Sequence, residues 1–185
     1  LVARCYRVIL TSQDPNLLVS VLAPFFDSRG LRHPTSATVR SRAAYLLLKV
    51  TRPLRTFITV RHLADVMNAI QPLLFPVQAH DTGLVFSDQM NLFETAGYLV
   101  GTDTTRAESI AYLRNLLNTL MDSLQTATTS NQKIGIVTAA GQLSKGFGGD
   151  SKPLLLLAGP MGSLAAGSSS PVHLENIKAE VLNSK

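Results

Sequence analysis

The chain of 185 residues contains no tryptophan and one cysteine, and aromatic residues make up only 6% of it. A lone thiol, Cys5, cannot form an internal disulfide and has no neighbouring ligands for zinc, so we expect a reducing compartment and a fold without disulfides. The shortage of aromatic side chains favours aliphatic helix packing over a β-sandwich. Hydrophobic residues still make up 45% of the chain, enough for a core.

Groups of residues that carry out catalysis are also missing. The four histidines are isolated from one another and from Cys5, so we expect them to be surface or capping residues: they are His33, His62, His80 and His173. The glycine cluster that begins at Gly146 lacks the Gly-Lys-Ser/Thr sequence of a phosphate-binding loop. We therefore predict that the chain is not an enzyme and holds no metal or cofactor.

The chain has few acidic residues and no long apolar run. Five carboxylates occur singly on polar helix faces, where we expect solvated side chains: Asp65, Asp88, Glu94, Glu108 and Asp122. The apolar run at Leu154 is far shorter than the roughly 20 residues needed to span a bilayer, so we predict no membrane insertion.

Positive charge is concentrated in the first third of the chain. Residues 1 to 61 hold ten basic and two acidic residues, a net charge of +8, whereas the remainder carries −3 and the whole chain +5. Most of these cations are arginines, whose planar guanidinium groups can donate two hydrogen bonds to one phosphate. The distribution therefore favours an anionic partner for the early part of the chain.

A basic amphipathic helix is predicted to begin at about Ser36. Its apolar residues recur at helical spacing on one side: Val39, Ala43, Leu46, Leu47, Val50 and Leu54. Three cations lie on the opposite arc (Arg42, Lys49 and Arg52), with Arg40 and Arg55 at its flanks. Such a face is either an ordinary solvated surface or a binding surface for an anion.

Helical periodicity dominates the rest of the chain, and no alternating strand is evident. The predicted helices run from Val2 to Leu10, Pro15 to Phe26, Ser36 to about Pro53, Val60 to Leu74, Phe86 to Val100, Thr105 to Gln125 and Lys133 to Lys145. We expect Gly30 to be a left-handed C-cap, Pro53 to end or kink its helix, and Gly97 to allow a neighbouring helix to approach closely.

Helices of this length, paired about forty residues apart, predict an all-α fold: a HEAT-type α-solenoid of antiparallel helix pairs. Residues 1–146 form its helical segment, and a Gly/Ser/Ala-rich, low-complexity loop is expected over 147–170. A further helix is predicted over 171–185. Because the chain starts at Leu1, within a predicted helix, we expect it to be part of a longer protein.

Three blocks resemble the exportin-T family of tRNA export receptors, in the family's order. The first is Arg29-Gly-Leu-Arg-His-Pro followed by Val39-Arg-Ser-Arg-Ala-Ala-Tyr-Leu. The second is Leu92-Phe-Glu-Thr-Ala-Gly-Tyr-Leu-Val, and the third is Arg114-Asn-Leu-Leu-Asn-Thr-Leu-Met. The resemblance covers roughly residues 1 to 146 and is specific because the three blocks occur together.

The resemblance implies the central part of a karyopherin that binds mature tRNA cooperatively with Ran-GTP, passes nuclear pore proteins, and shuttles between nucleus and cytoplasm. It also implies that Ran is bound mainly by repeats outside this chain. The candidate nucleic-acid-binding residues, chosen by charge and position, are Arg40, Arg42, Lys49, Arg52 and Arg55. The alternative is a helical-repeat scaffold that binds only proteins, its arginines meeting acidic peptides.

Overall fold

The computed structural model describes residues 15–77 and 83–147, which form five α-helices. They are α1 (Pro15–Phe26), α2 (Ala37–Leu74), α3 (Phe86–Thr102), α4 (Ala107–Thr126) and α5 (Ser130–Gly146). Helices hold 81% of the described residues, and none of those residues lies in a strand. The predicted all-α class is therefore confirmed. The helix predicted over residues 2–10, the loop after residue 147 and the helix over 171–185 lie outside the described residues.

Helix α2 folds back on itself at His62, whose φ of −136° and ψ of 19° are not helical. Near its start, the Ser41 hydroxyl donates to Asp88 Oδ2 at 2.7 Å. Near its end, the Leu73 carbonyl accepts from Gln89 Nε2 at 3.2 Å. In a straight helix, Ser41 and Leu73 would lie about 48 Å apart. Because both contact adjacent residues of α3, α2 consists of two antiparallel segments, 37–61 and 63–74.

The break lies nine residues after Pro53, through which the helix continues, so Pro53 does not end the helix. Pro53 is exposed, whereas Leu54 and Ile58 just after it are fully buried. Each such buried side chain contributes about 1.5 to 3 kcal/mol. This packing offsets the hydrogen bond that proline removes, which costs roughly 3 kcal/mol in an unsupported helix. The helix predicted from Val60 begins within two residues of the observed break.

The helices stack in two layers. In one layer, segment 37–61 lies against α3, and α3 lies against α5. In the other, segment 63–74 lies beside α4, where Tyr112 Oη and Asn68 Oδ1 are 3.2 Å apart. Short turns at 103–106 and 127–129 join α3 to α4 and α4 to α5. This arrangement of stacked helix pairs confirms the predicted HEAT-type repeat.

Helices α3 and α5 are equivalent helices in successive repeats. Helix α5 begins 44 residues after α3, and Gly141 follows Gly97 by the same interval. The sequences match locally as well, since Ala96-Gly-Tyr-Leu in α3 corresponds to Ala140-Gly-Gln-Leu in α5. The repeat therefore has a register of 44 residues at this point.

Glycines bring α3 and α5 together, as predicted for Gly97. A Cβ on Gly97 would clash with the Leu143 carbonyl oxygen and lie 3.0 Å from Gly146 Cα. A Cβ on Gly146 would lie 2.5 Å from the Glu94 carbonyl oxygen. The two backbones touch because neither glycine carries a side chain.

Two local predictions need correction. Gly30 is not a left-handed cap, since Gly83 is the glycine with positive φ (67°) among the described residues. Gly30 is instead packed against backbone, because a Cβ there would lie 2.5 Å from the carbonyl oxygens of Pro24 and Phe25. Helix α5 begins at Ser130 rather than Lys133, since Thr129 and Gln132 form a capping box just before the predicted start.

Candidate nucleic-acid interface

Local hydrogen bonds set the start of the basic helix. The Ser36 hydroxyl accepts from the Val39 amide at 3.3 Å and so caps α2, while His33 Nδ1 accepts from the Ser36 amide at 3.0 Å. The predicted apolar stripe then faces inward: Ala43, Leu47, Val50 and Leu54 are buried, and Val39 and Leu46 are half-buried. The opposite face of segment 37–61 consequently faces solvent.

Arg42 and Lys49 lie on that solvent face. Both are exposed, and neither forms an ion pair with a carboxylate in the described part of the chain. They are seven residues apart, two helical turns or about 10 Å along the axis. Arg42 also borders a cavity of about 360 Å³ between α1 and α2, whose wall includes Phe25 and Leu46. These two cations can bind an anion without breaking an ion pair.

Arg40 lies elsewhere, about 200° around the helix from Arg42. Its Nε donates to the Gly83 carbonyl at 2.6 Å, and its Nη1 donates to the His33 carbonyl at 2.7 Å. The guanidinium thus ties the loop before α3 to the turn before α2. The structure gives Arg40 a role in holding backbone together, on a different side from the exposed cations.

Arg52 points toward α3 and shares its donors between two side chains. Its Nε donates to Tyr98 Oη at 2.7 Å, and its Nη2 donates to Glu94 Oε1 at 3.0 Å. The hydrogen bond to Tyr98 raises the pKa of Arg52, and the nearby Glu94 carboxylate adds to this. The remaining candidate, Arg55, is exposed, with Nη1 at 3.5 Å from the Arg52 carbonyl. Of the five candidates, Arg40 and Arg52 are thus each held by two intramolecular hydrogen bonds of 3.0 Å or less.

Glu94 links three helices. Its other oxygen, Oε2, accepts from Lys145 Nζ on α5 at 3.0 Å, so one carboxylate joins α2, α3 and α5. The Glu94 side chain is 6% exposed, whereas that of Arg52 is 43% exposed. The sequence prediction of a solvated Glu94 was wrong, because its two partners lie 42 and 51 residues away. The spacing along α3 gives no sign of them.

Asp88 is also buried rather than solvated. It lies in the first turn of α3, where a carboxylate is favoured by the helix dipole, and it accepts from Ser41. The other three acidic residues are less enclosed: Asp65 and Asp122 are exposed, and Glu108 is half-buried. Glu108 pairs with Arg106 at 2.8 Å.

The histidines behave differently from one another. His33 is the capping residue described above, as predicted for this class. His62 occupies the break in α2, with Nδ1 at 3.5 Å from Asp65 Oδ2. His80 and His173 lie outside the described residues. Within residues 15–77 and 83–147, no three His, Cys, Asp or Glu side chains are placed to hold a metal ion.

Among the described helices, none combines the length and apolar character required to cross a membrane.

Comparison with known proteins decides the family. The family model for Exportin-T matches residues 2–158, most of the chain. The chain belongs to the exportin-T family. The matching stretch includes all five helices and the basic face of α2.

Individual exportin-T proteins agree with this assignment. Human Exportin-T is 39% identical over 116 residues, which is 60% of this chain and 12% of that protein. Zebrafish (Danio rerio) Exportin-T is 35% identical over the same shares. Exportin-T of Dictyostelium discoideum is 31% identical over 114 residues, 61% of this chain and 10% of that protein. The matched region is thus a small part of these curated relatives. No solved structure matches the chain.

Proposed function

We propose that this exportin-T chain is part of a nuclear export receptor that binds mature tRNA cooperatively with Ran-GTP and carries it from nucleus to cytoplasm. The main support is membership of the exportin-T family. The protein acts as a binding scaffold and not as an enzyme. Its other partners in this proposal are nuclear pore proteins, which it meets as it shuttles.

The exposed cations on α2 support the part of this proposal that concerns RNA. Folded RNA is recognised largely through its shape and its phosphates, and affinity for phosphates comes from unpaired Lys and Arg side chains. Arg42 and Lys49 meet this description, and Arg55 is exposed beside them. We propose these three as the phosphate contacts. Arg40 and Arg52 contribute less, because binding RNA would require them to leave intramolecular partners.

Cooperativity between tRNA and Ran-GTP is explained by thermodynamic linkage between the two binding equilibria. If tRNA and Ran-GTP both favour the same curvature of the solenoid, each raises the affinity of the other by the same factor. Ran is bound mainly by other repeats in this proposal. Segment α2–α5 then contributes through its position in the stack and through its basic face.

The decisive experiment measures tRNA binding by the intact protein over a range of salt concentrations, with and without Ran-GTP. We expect Ran-GTP to raise tRNA affinity. We also expect the double variant Arg42→Ala/Lys49→Ala to flatten the dependence of log affinity on log salt concentration by about 1.5, because two phosphate contacts are lost. Binding is followed by fluorescence anisotropy of labelled tRNA.

A matched control removes two other exposed cations, Arg114 on α4 and Lys133 on α5. The double variant Arg114→Ala/Lys133→Ala changes the net charge by the same amount and should leave the slope nearly unchanged. If both double variants alter the slope equally, the effect comes from overall charge and the α2 face is not the binding surface.

A scaffold that binds only proteins is the second candidate. It is favoured by exposed apolar side chains on α4 and α5, namely Met121, Ile134 and Val137. For this candidate we expect no saturable tRNA binding in the anisotropy assay. In a separate pulldown, the immobilised protein should still retain purified nuclear-transport proteins.

A further inference from the structure

The solvent face of α2 carries an aromatic ring between two cations, Arg42 and Lys49, that form no ion pair in the described part of the chain. Tyr45 follows Arg42 by three residues and precedes Lys49 by four, so all three side chains lie on the same face of the helix. Tyr45 is 46% exposed. Lys49 Nζ lies 5.3 Å from the centre of its ring, in the range of a cation–π contact. The face therefore combines a flat apolar surface with positive charge on both sides.

This combination is specific to Tyr45. The other exposed aromatic side chain in the described residues, Phe57, has Arg61 four residues after it but Leu54 three residues before it, where Tyr45 has Arg42. The exposed residues Ile134 and Val137 on α5 are aliphatic. Binding to a nucleotide uses both the ring and the charges.

A nucleotide has a charged phosphate and a flat base joined through one ribose. Proteins bind unpaired nucleotides by stacking bases on aromatic rings while Lys and Arg contact the backbone. Bases inside a duplex are stacked on one another and do not offer a free face. A ring beside two cations is thus suited to a nucleotide outside a duplex.

We infer that Tyr45 stacks on an unpaired nucleotide of the bound RNA, with Arg42 and Lys49 contacting the adjoining phosphates. This inference rests on the proposed tRNA binding. It adds a contact that depends on single-stranded character and not on charge. The face would then distinguish RNA with accessible unpaired nucleotides from a plain duplex.

The test compares four substitutions at Tyr45 in the intact protein, using tRNA and a blunt RNA duplex of similar length as probes. Tyr45→Ala should weaken tRNA binding about tenfold, the usual scale for loss of one stacked base. The salt dependence should remain, because no charge is removed. Tyr45→Phe keeps the ring and should stay within about twofold of the original affinity. Neither substitution should alter binding of the duplex.

Tyr45→Leu is the control for a folding defect, because it retains apolar bulk at an exposed helical position. It should weaken tRNA binding as Tyr45→Ala does, with an unchanged melting temperature. Tyr45→Trp places an indole, which is fluorescent, at the proposed stacking position. Stacking on a base should quench that fluorescence when tRNA is added, and the duplex should not.

The outcomes separate this inference from the proposed function. If Arg42→Ala/Lys49→Ala flattens the salt dependence while Tyr45→Ala and Tyr45→Leu bind tRNA normally, the stacking contact is refuted and the basic face stands. Equal weakening of tRNA and duplex by Tyr45→Leu also refutes it, because the ring would then not select unpaired nucleotides. Absence of any tRNA binding by the unmodified protein refutes the proposed function and the stacking contact with it.

Discussion

Helices α3 and α5 are equivalent by position in the repeat but differ in what surrounds them. Helix α3 lies between segment 37–61 and α5, and every residue from Leu92 to Val100 is buried. Helix α5 packs against α3 and α4, and Ile134, Val137 and Gly141 on its remaining side are exposed. The same helical pattern is thus core in one repeat and surface in the next. Burial in a solenoid depends on the neighbours and not on the helix alone.

The largest difference is expected at Phe93 and Val137, which are 44 residues apart and occupy the same repeat position. Phe93 is 0% exposed and packs edge-on against Phe75, with ring centres 5.6 Å apart. Phe93→Ala should lower the free energy of unfolding by about 3 to 5 kcal/mol, through lost burial and a cavity. Urea denaturation of the chain measures this.

Val137→Ala is the matched substitution. Val137 is 60% exposed, and alanine is the better helix former, so we expect a change within about 0.5 kcal/mol. A loss as large as that of Phe93→Ala would mean that this side of α5 is covered in the folded chain, and the comparison would fail.

The second difference is expected at the equivalent glycines. Gly97→Ala places a methyl group against the backbone of α5 and should destabilise by about 1 to 3 kcal/mol, the range for overpacking. Gly141→Ala meets no atom within 4 Å and removes a flexible residue from a helix interior, so it should stabilise by about 0.5 to 1 kcal/mol. Opposite signs of the two changes in melting temperature would confirm the comparison; equal signs would contradict it.

The smallest difference is expected between Glu94 and Glu108. Glu94→Gln removes the charge that joins Arg52 to Lys145 and should destabilise by about 1 to 2 kcal/mol. The loss stays below that of a fully buried pair, because both cations can reach water. Glu108→Gln, at a half-exposed pair with Arg106, should cost at most about 1 kcal/mol. Urea denaturation at low and high salt separates the two, since salt screens the Glu108 pair more strongly.

Much of the fold was predictable from periodicity. The bounds of α1 and the start of α3 match the prediction, and the apolar stripe of segment 37–61 faces inward as expected. Local chemistry explains why, since one helix face must be buried and caps such as Ser36 mark where a helix begins. Pro53 shows the limit: its local preference for ending a helix was outweighed by the packing of residues around it.

The candidate site was only partly predictable. Sequence spacing placed Arg42 and Lys49 on an exposed face, and the structure agrees. It could not show that Arg52 bonds to Glu94 and Tyr98, or that Arg40 holds two carbonyls, because those partners are distant in sequence. The assignment of RNA contacts to the five candidate cations remains a prediction.

The sequence by itself determined the helices, their inward stripes, the concentration of positive charge near the start, and the resemblance to exportin-T. The helices and their stripes arise from the order of side chains along 3.6-residue turns, and the resemblance arises from three blocks of residues in the family's order. Tertiary structure alone decided which cations stay free, where α2 folds back, and why Glu94 is buried while Val137 is exposed. Those outcomes depend on which helix lies alongside, and one helix carries no information about its neighbour's side chains.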